Sequence, residues 1–179
     1  MATGPRYKVP FRRRRDNRTD YYVRKKLLTS GKPRAVVRRS SKNISIQFAK
    51  FDMKGDMIVT SVTSKELKAL GWGNACSNIP AAYLTGYLAG KEALKVGVEY
   101  AVLDIGMQTP AKGTVLFAAV AGMVAAGLEV PHGEGVLPAE DRLNGRHINE
   151  KISADVDAVK KAIDGGKTAK KPAAKKEAD

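Results

Sequence analysis

Positive charge and apolar side chains occupy different parts of this 179-residue chain, and that division limits the fold more than any single motif does. Of the formal net charge of +14, twelve units fall in residues 1–40, where fourteen Lys and Arg stand against Asp16 and Asp20 alone. Residues 41–150 carry ten basic and eleven acidic side chains, and residues 151–179 carry eight and five. A dense cationic strip repels itself and cannot condense around a core of its own. The first segment must therefore be an appendage on a nearly neutral body, and it requires a polyanionic partner.

The body has the means to fold. Hydrophobic residues make up 43% of the chain and concentrate between Arg34 and Leu143, enough for one ordinary domain. The longest apolar run, Val115–Leu128, is 14 residues, short of the roughly 20 that a membrane-spanning helix needs. The Arg-rich N-terminus lacks the apolar stretch of a secretory signal. Cys76 is the sole cysteine, which excludes an internal disulfide and Cys-rich metal centres. A soluble, cytoplasmic protein is the expectation.

Residues 1–33 show no sustained hydrophobic period. Pro5, Pro10, Pro33 and the arginine run predict an extended basic arm, with a short helix around Asp20–Leu28. From Arg34 the pattern becomes β. Ala35–Arg38, Ile44–Ala49 and Met57–Val62 read as three short strands separated by turns at Ser40–Asn43 and Lys54–Asp56, an antiparallel meander. Ser64 is positioned to cap a short helix. A Gly-rich loop, Gly71–Asn78, leads into a helix over Ile79–Val96, with Pro80 in its first turn and Gly97 beyond its end. Val98–Ile105 is nearly all apolar, as a central, doubly covered strand would be. Val115–Ala126 is apolar all round and predicts a buried helix, and Leu128–Val130 returns to the sheet.

The fold class is therefore α/β: a single domain with a mixed sheet, a three-strand antiparallel meander followed by αβαβ, an extended N-terminal arm and a flexible C-terminal tail. The expected divisions are the arm 1–33, the body 34–150 ending in an irregular segment, and 151–179. That last part holds a short amphipathic helix near Ser153–Ile163 and a mobile Lys/Ala tail from Gly165.

The arm is the candidate binding element. Arg6, Lys8, Arg12, Arg13, Arg14, Arg15, Arg18, Arg24, Lys25 and Lys26 are interleaved with Tyr7, Phe11, Tyr21 and Tyr22. Guanidinium groups grip phosphate bidentately and stack on bases, and aromatic rings stack on unpaired bases. Arginine mixed with aromatics therefore points to ordered contacts with folded RNA rather than to a diffuse polycation or a localisation tag. Arg34, Arg38, Arg39 and Lys42, on the first strand and its turn, would extend that surface onto the body. The Gly71–Asn78 loop lacks the Gly-Lys-Ser/Thr ending of a nucleotide-binding P-loop. It is either an RNA-backbone contact at a helix N-terminus or a loop packed under Trp72.

Other features carry less. Gly86 and Gly90 are read as close helix–sheet packing. His132 and His147 lack metal-ligand spacing, Cys76 is assigned no chemistry, and Asp104 is read as a capped strand end. Two alternatives accompany the RNA-binding reading: a metal-dependent RNA-processing enzyme built on Asp104 and Glu66, and a general RNA chaperone without a preferred partner.

Several segments then resemble one family. Pro5–Arg15, Asp20-Tyr21-Tyr22 and Ser30-Gly31-Lys32-Pro33-Arg34 resemble the start of archaeal large-subunit ribosomal protein eighteen, the 5S rRNA-binding family. Leu70-Gly71-Trp72 with Asn78–Gly86, Leu103–Gly106, and Pro131–Glu134 with Val136–Pro138 match the same family in the same order, over about residues 1–150. The resemblance implies a non-enzymatic structural protein without a cofactor or metal. It would bind 5S rRNA and attach it to large-subunit rRNA in the central protuberance, beside other ribosomal proteins. It adds Lys32 to the arm's binding residues and brings in the loop from Trp72 through Asn78 to Pro80. The sequence departs from the family's Gly/Thr-rich loop at Ala75-Cys76-Ser77.

Overall fold

In the computed structural model, which describes residues 4–165, the chain starts with two helices on the arm: α1 (Arg12–Arg15) and α2 (Tyr21–Thr29). Asn17, at φ +51°, lies between them in the left-handed region that Asn tolerates. Asp20 starts α2: its Oδ1 accepts from the amides of Tyr22 (2.8 Å) and Val23 (3.3 Å). The arm is thus more ordered than its composition predicts, and α1 has no sequence signal beyond four consecutive arginines.

Strands β1 (Arg34–Arg39), β2 (Ile44–Lys50) and β3 (Met57–Thr63) form the antiparallel meander. A 3₁₀ helix over Ser64–Leu70 leads to α3 (Ile79–Lys95), then β4 (Val102–Asp104), α4 (Val115–Ala125), α5 (Glu140–Leu143) and α6 (Glu150–Asp164). β4 pairs in parallel with β1, giving a mixed sheet of order β3-β2-β1-β4 in a single α/β domain.

The period of two in β1 and β2 sorts the sheet's faces. Ala35, Val37, Ile44, Ile46 and Phe48 are fully buried beneath the helices, while Arg34, Val36, Arg38, Ser45 and Gln47 point to the other side. Thr60 Oγ on β3 donates to Glu92 Oε2 of α3 at 3.3 Å, which marks the helix-covered face. Leu84 and Leu88 of α3 complete that core, each worth roughly 1.5–3 kcal/mol when removed from water.

Helices α3 and α4 approach so closely that glycine is required on both. A Cβ on Gly86 would overlap the carbonyl of Ala119, and one on Gly122 would overlap the carbonyl of Tyr83. The Gly86/Gly90 pair therefore serves helix–helix packing, not the helix–sheet contact read from sequence; Gly90 too faces α4, at Met123 and Ala126 just past its end.

Three further expectations change. The Val98–Ile105 run yields only a three-residue strand at the sheet edge, because Val98 and Ala101 are buried while closing the ends of α3 and of the Leu128–Val130 segment. That segment adds one bridge, Tyr100–Glu129, rather than a strand. Ser64 is not a cap: its Oγ accepts from the Ile44 amide at 3.0 Å, while Thr63 and Glu66 cap the 3₁₀ helix. Gly71, at φ +99°, ends that helix in the left-handed region.

Helix α6 begins earlier than its apolar period shows, capped by Asn149. It buries Ile152, Val156, Val159 and Ile163 against the body, so residues 150–164 pack as part of the domain. Tyr87 Oη donates to Asp164 at 2.7 Å, Lys160 Nζ donates to Tyr83 Oη at 3.2 Å, and Lys91 pairs with Asp164 at 3.3 Å. The hydrogen bond from Tyr87 is the main influence holding the Asp164 carboxyl below its usual range. The Lys/Ala tail from residue 166 onward lies outside the described residues. Among the described residues no helix is long and apolar enough to cross a membrane.

Candidate nucleic-acid interface

The arm's side chains divide into those turned to solvent and those held by the body. Arg6, Lys8, Arg12, Arg13, Arg14, Arg15, Arg18, Lys25, Lys26 and Lys32 are exposed, as are Tyr7, Phe11 and Tyr22. Phe11 and Tyr22 expose 73% and 71% of their surface, which leaves both rings open to a stacking partner. The rings are ordered, however. Phe11 and the half-buried Tyr21 sit 5.4 Å apart in a tilted pair, and the Arg14 guanidinium lies 5.6 Å from the Tyr22 ring. Arg13 Nε donates to Thr19 at 3.1 Å across the α1–α2 connection. Lys32 lies 5.5 Å over the Tyr100 ring at the arm's junction with the body.

Helix α2 faces the open side of the sheet. Val23 and Leu27 face Val36, Gln47, Ala49 and Ile58 across a cleft of about 250 Å³. Five arginines (13, 18, 24, 34 and 38) and three aspartates (20, 56 and 104) line the same cleft. Some are joined in a chain of alternating charge. Arg24 Nη2 lies 3.0 Å from Asp56 Oδ2, and Arg34 Nη2 lies 2.6 Å from that same oxygen. Arg34 Nη1 donates to Asp104 Oδ2 at 3.0 Å, and Arg38 Nη2 to Asp104 Oδ1 at 2.9 Å. Asp104 Oδ1 also accepts from the Gly106 amide at 2.9 Å, which fixes the carboxylate at the end of β4.

Arg34 is 3% exposed, and its Nε has no hydrogen-bond partner. Its Nη2 contact to Asp56 is close but poorly aligned for a hydrogen bond, so charge rather than geometry holds it. At Asp56 burial alone would raise the carboxyl's pKa; the close Arg34 guanidinium, with Arg24 beside it, outweighs burial and holds it below the usual range.

This geometry rearranges the set read from sequence. Arg39 and Lys42 remain exposed at the β1–β2 turn. Arg34 is a buried structural cation and cannot reach a phosphate, while Arg24 and Arg38 are committed to aspartates. Trp72 is 2% exposed, and its Nε1 donates to the Ala75 carbonyl at 3.1 Å. Its ring is core and cannot stack on a base. Asn78 caps α3, its Oδ1 accepting from the Ala81 amide at 3.0 Å. Cys76 is buried beneath the same loop, so Ala75-Cys76-Ser77 belongs to a packed turn around Trp72.

Asp104 is a strand-end residue held by two arginines, and Glu66 accepts from Thr63; they serve separate structural tasks. Sequence reasoning passed over Asp56, which looked like one residue of a hairpin turn. No local pattern marks an acid whose partners lie 22 and 32 residues upstream.

Comparison with known proteins identifies the class as ribosomal. Residues 5–99 match the family model described as "Ribosomal large subunit proteins 60S L5, and 50S L18". The large ribosomal subunit protein uL18 of Methanothermobacter thermautotrophicus is 53% identical over 150 residues, covering 84% of this chain and 78% of the relative. That of Thermofilum pendens is 52% identical over 148 residues, covering 83% and 76%. That of Methanoregula boonei is 50% identical over 169 residues, covering 91% and 97%. The chain belongs to this family of large-subunit ribosomal proteins, and its role is that of a ribosomal component in translation.

Proposed function

We propose that the protein is a non-enzymatic, structural constituent of the large ribosomal subunit that binds 5S rRNA. It would help attach that RNA to large-subunit rRNA in the central protuberance, on a cytoplasmic ribosome and among neighbouring ribosomal proteins. The observation that carries the reading is the arm: exposed arginines and exposed, mutually ordered rings on a scaffold of nearly zero net charge. Phosphate contacts supply affinity, and stacking and shape supply selectivity. The interface comprises Arg6, Lys8, Arg12–Arg15, Arg18, Lys25, Lys26, Lys32, Arg39 and Lys42 with Tyr7, Phe11 and Tyr22, and Tyr21 as a supporting ring.

The test is competitive binding of the full chain to 5S rRNA and to a length-matched unrelated RNA at near-physiological salt. A preference of about a hundredfold, roughly 2.7 kcal/mol, supports a dedicated 5S binder. Equal affinity makes it a general RNA chaperone instead. Replacing Arg12–Arg15 with Gln should also flatten the dependence of affinity on salt, by about one unit of log–log slope for each phosphate no longer neutralised. An unchanged slope removes the arm from the interface.

A further inference from the structure

We infer that Asp56 is a positioning residue for RNA selection, acting through Arg24 to hold the arm helix in one orientation across the sheet while touching no RNA itself. The inference rests on the 5S-binding reading above. Among the described residues, Arg24–Asp56 is the only ion pair joining α2 to the body. Asp56 is fixed in turn from behind, because the buried Arg34 that shares its carboxylate is anchored on Asp104 and so on the end of β4. The alternating chain Arg24–Asp56–Arg34–Asp104–Arg38 therefore ties the arm to the β2–β3 turn, to β1 and to β4. It commits one arm cation and keeps a carboxylate next to a surface meant for polyanions.

Electrostatics and positioning predict opposite signs for the loss of that carboxylate. If Asp56 were only a charge near RNA, Asp56→Asn would tighten binding to every RNA by removing a repulsion. If it positions the arm, Asp56→Asn weakens binding to the RNA whose shape the ordered arm fits, and leaves binding to unrelated RNA unchanged or stronger. The pair is partly exposed, at 37% and 25% for the two side chains. Its release should therefore shift the docked population by up to about fivefold, the factor equivalent to about 1 kcal/mol.

The experiment measures affinity of full-length wild type, Asp56→Asn and Arg24→Gln for 5S rRNA and for a length-matched control RNA. Limited trypsin cleavage of the arm without RNA and thermal unfolding accompany it. Expected for Asp56→Asn are up to about fivefold weaker 5S binding, control binding unchanged or tighter, faster cleavage in the arm, and an intact cooperative unfolding transition. Arg24→Gln breaks the same link from the arm side, without disturbing buried Arg34, and should also speed arm cleavage. Tighter binding to both RNAs, or an equal loss for both, overturns the inference. Wild-type protein that binds both RNAs alike instead refutes the 5S reading. Arm cleavage then decides the clamp, since unchanged trypsin sensitivity in both variants overturns it.

Discussion

Replacing Asp104 with Asn tests whether the charged chain behind the arm is desolvated in the way its geometry implies. The Asp104 side chain is 10% exposed and receives Arg34 Nη1, Arg38 Nη2 and the Gly106 amide. Asparagine keeps the shape and one acceptor, enough for Gly106, but removes the charge that faces Arg34, whose side chain is 4% exposed. Removing one partner of a buried pair costs about 3–5 kcal/mol. Here Arg34 retains Asp56, and Arg38 can turn to water because 41% of its side chain is already exposed. The lower end applies, about 3 kcal/mol. For a chain of 179 residues that corresponds to a fall in Tm of about 6–12 °C. Urea unfolding followed by circular dichroism gives the free energy, with calorimetry for Tm. The double substitution Asp104→Asn with Arg34→Met should recover most of the loss, because it removes the uncompensated cation, and Asp56 keeps Arg24. A loss below about 1 kcal/mol, or no recovery in the double variant, would refute the claim that Arg34 depends on Asp104 for its charge balance.

Four other outcomes follow from the same structure. Gly122→Ala and Gly86→Ala each drive a methyl into backbone across the α3–α4 contact, and should cost at least about 1–3 kcal/mol each by urea unfolding. Asp56 has a lowered pKa in the fold, so its stabilising contribution is complete above the unfolded value of 3.8 and is lost as pH falls below it. Unfolding measured between about pH 7 and pH 2.5 should show that acid loss in wild type and a shallower one in Asp56→Asn. Ile163→Ala empties a buried position that joins α6 to the body and should cost about 2 kcal/mol. Lys160→Met, which keeps the stem over the Tyr83 and Tyr87 rings, should cost less than about 1 kcal/mol.

Local chemistry explains how much of this molecule could be read without coordinates. The meander was legible because Ile44–Ala49 alternates and because turn residues separate the strands; α3 was legible because Pro80 and Gly97 bracket it. What failed was long-range information. An apolar run such as Val98–Ile105 looks the same whether burial comes from neighbouring strands or from closing two helices. Thr63 and Ser64 are adjacent hydroxyl residues, and only the position of the Ile44 amide decides which one caps the 3₁₀ helix. The cations of residues 1–40 were equally legible, but their division was not. Arg24, Arg34 and Arg38 resemble their neighbours in sequence and differ only in having Asp56 and Asp104 opposite them.

That division accounts for a tension in the charge distribution. A body of near-zero net charge cannot by electrostatics alone hold a segment of net +12, which should stand away from the domain until a polyanion arrives. Among the described residues the structure instead ties α2 to the body through one carboxylate, the partly exposed Asp56, which shares the buried Arg34 with Asp104. One acid suffices at the arm because a carboxylate partly withdrawn from water, and fixed by a buried guanidinium behind it, acts on a nearby guanidinium more strongly than a fully exposed one. More acids would hold the arm more firmly but would repel the phosphates that the exposed arginines are placed to meet. The ordered arm therefore depends on a small number of charges at its base, which leaves the outward arginines without a carboxylate partner among the described residues.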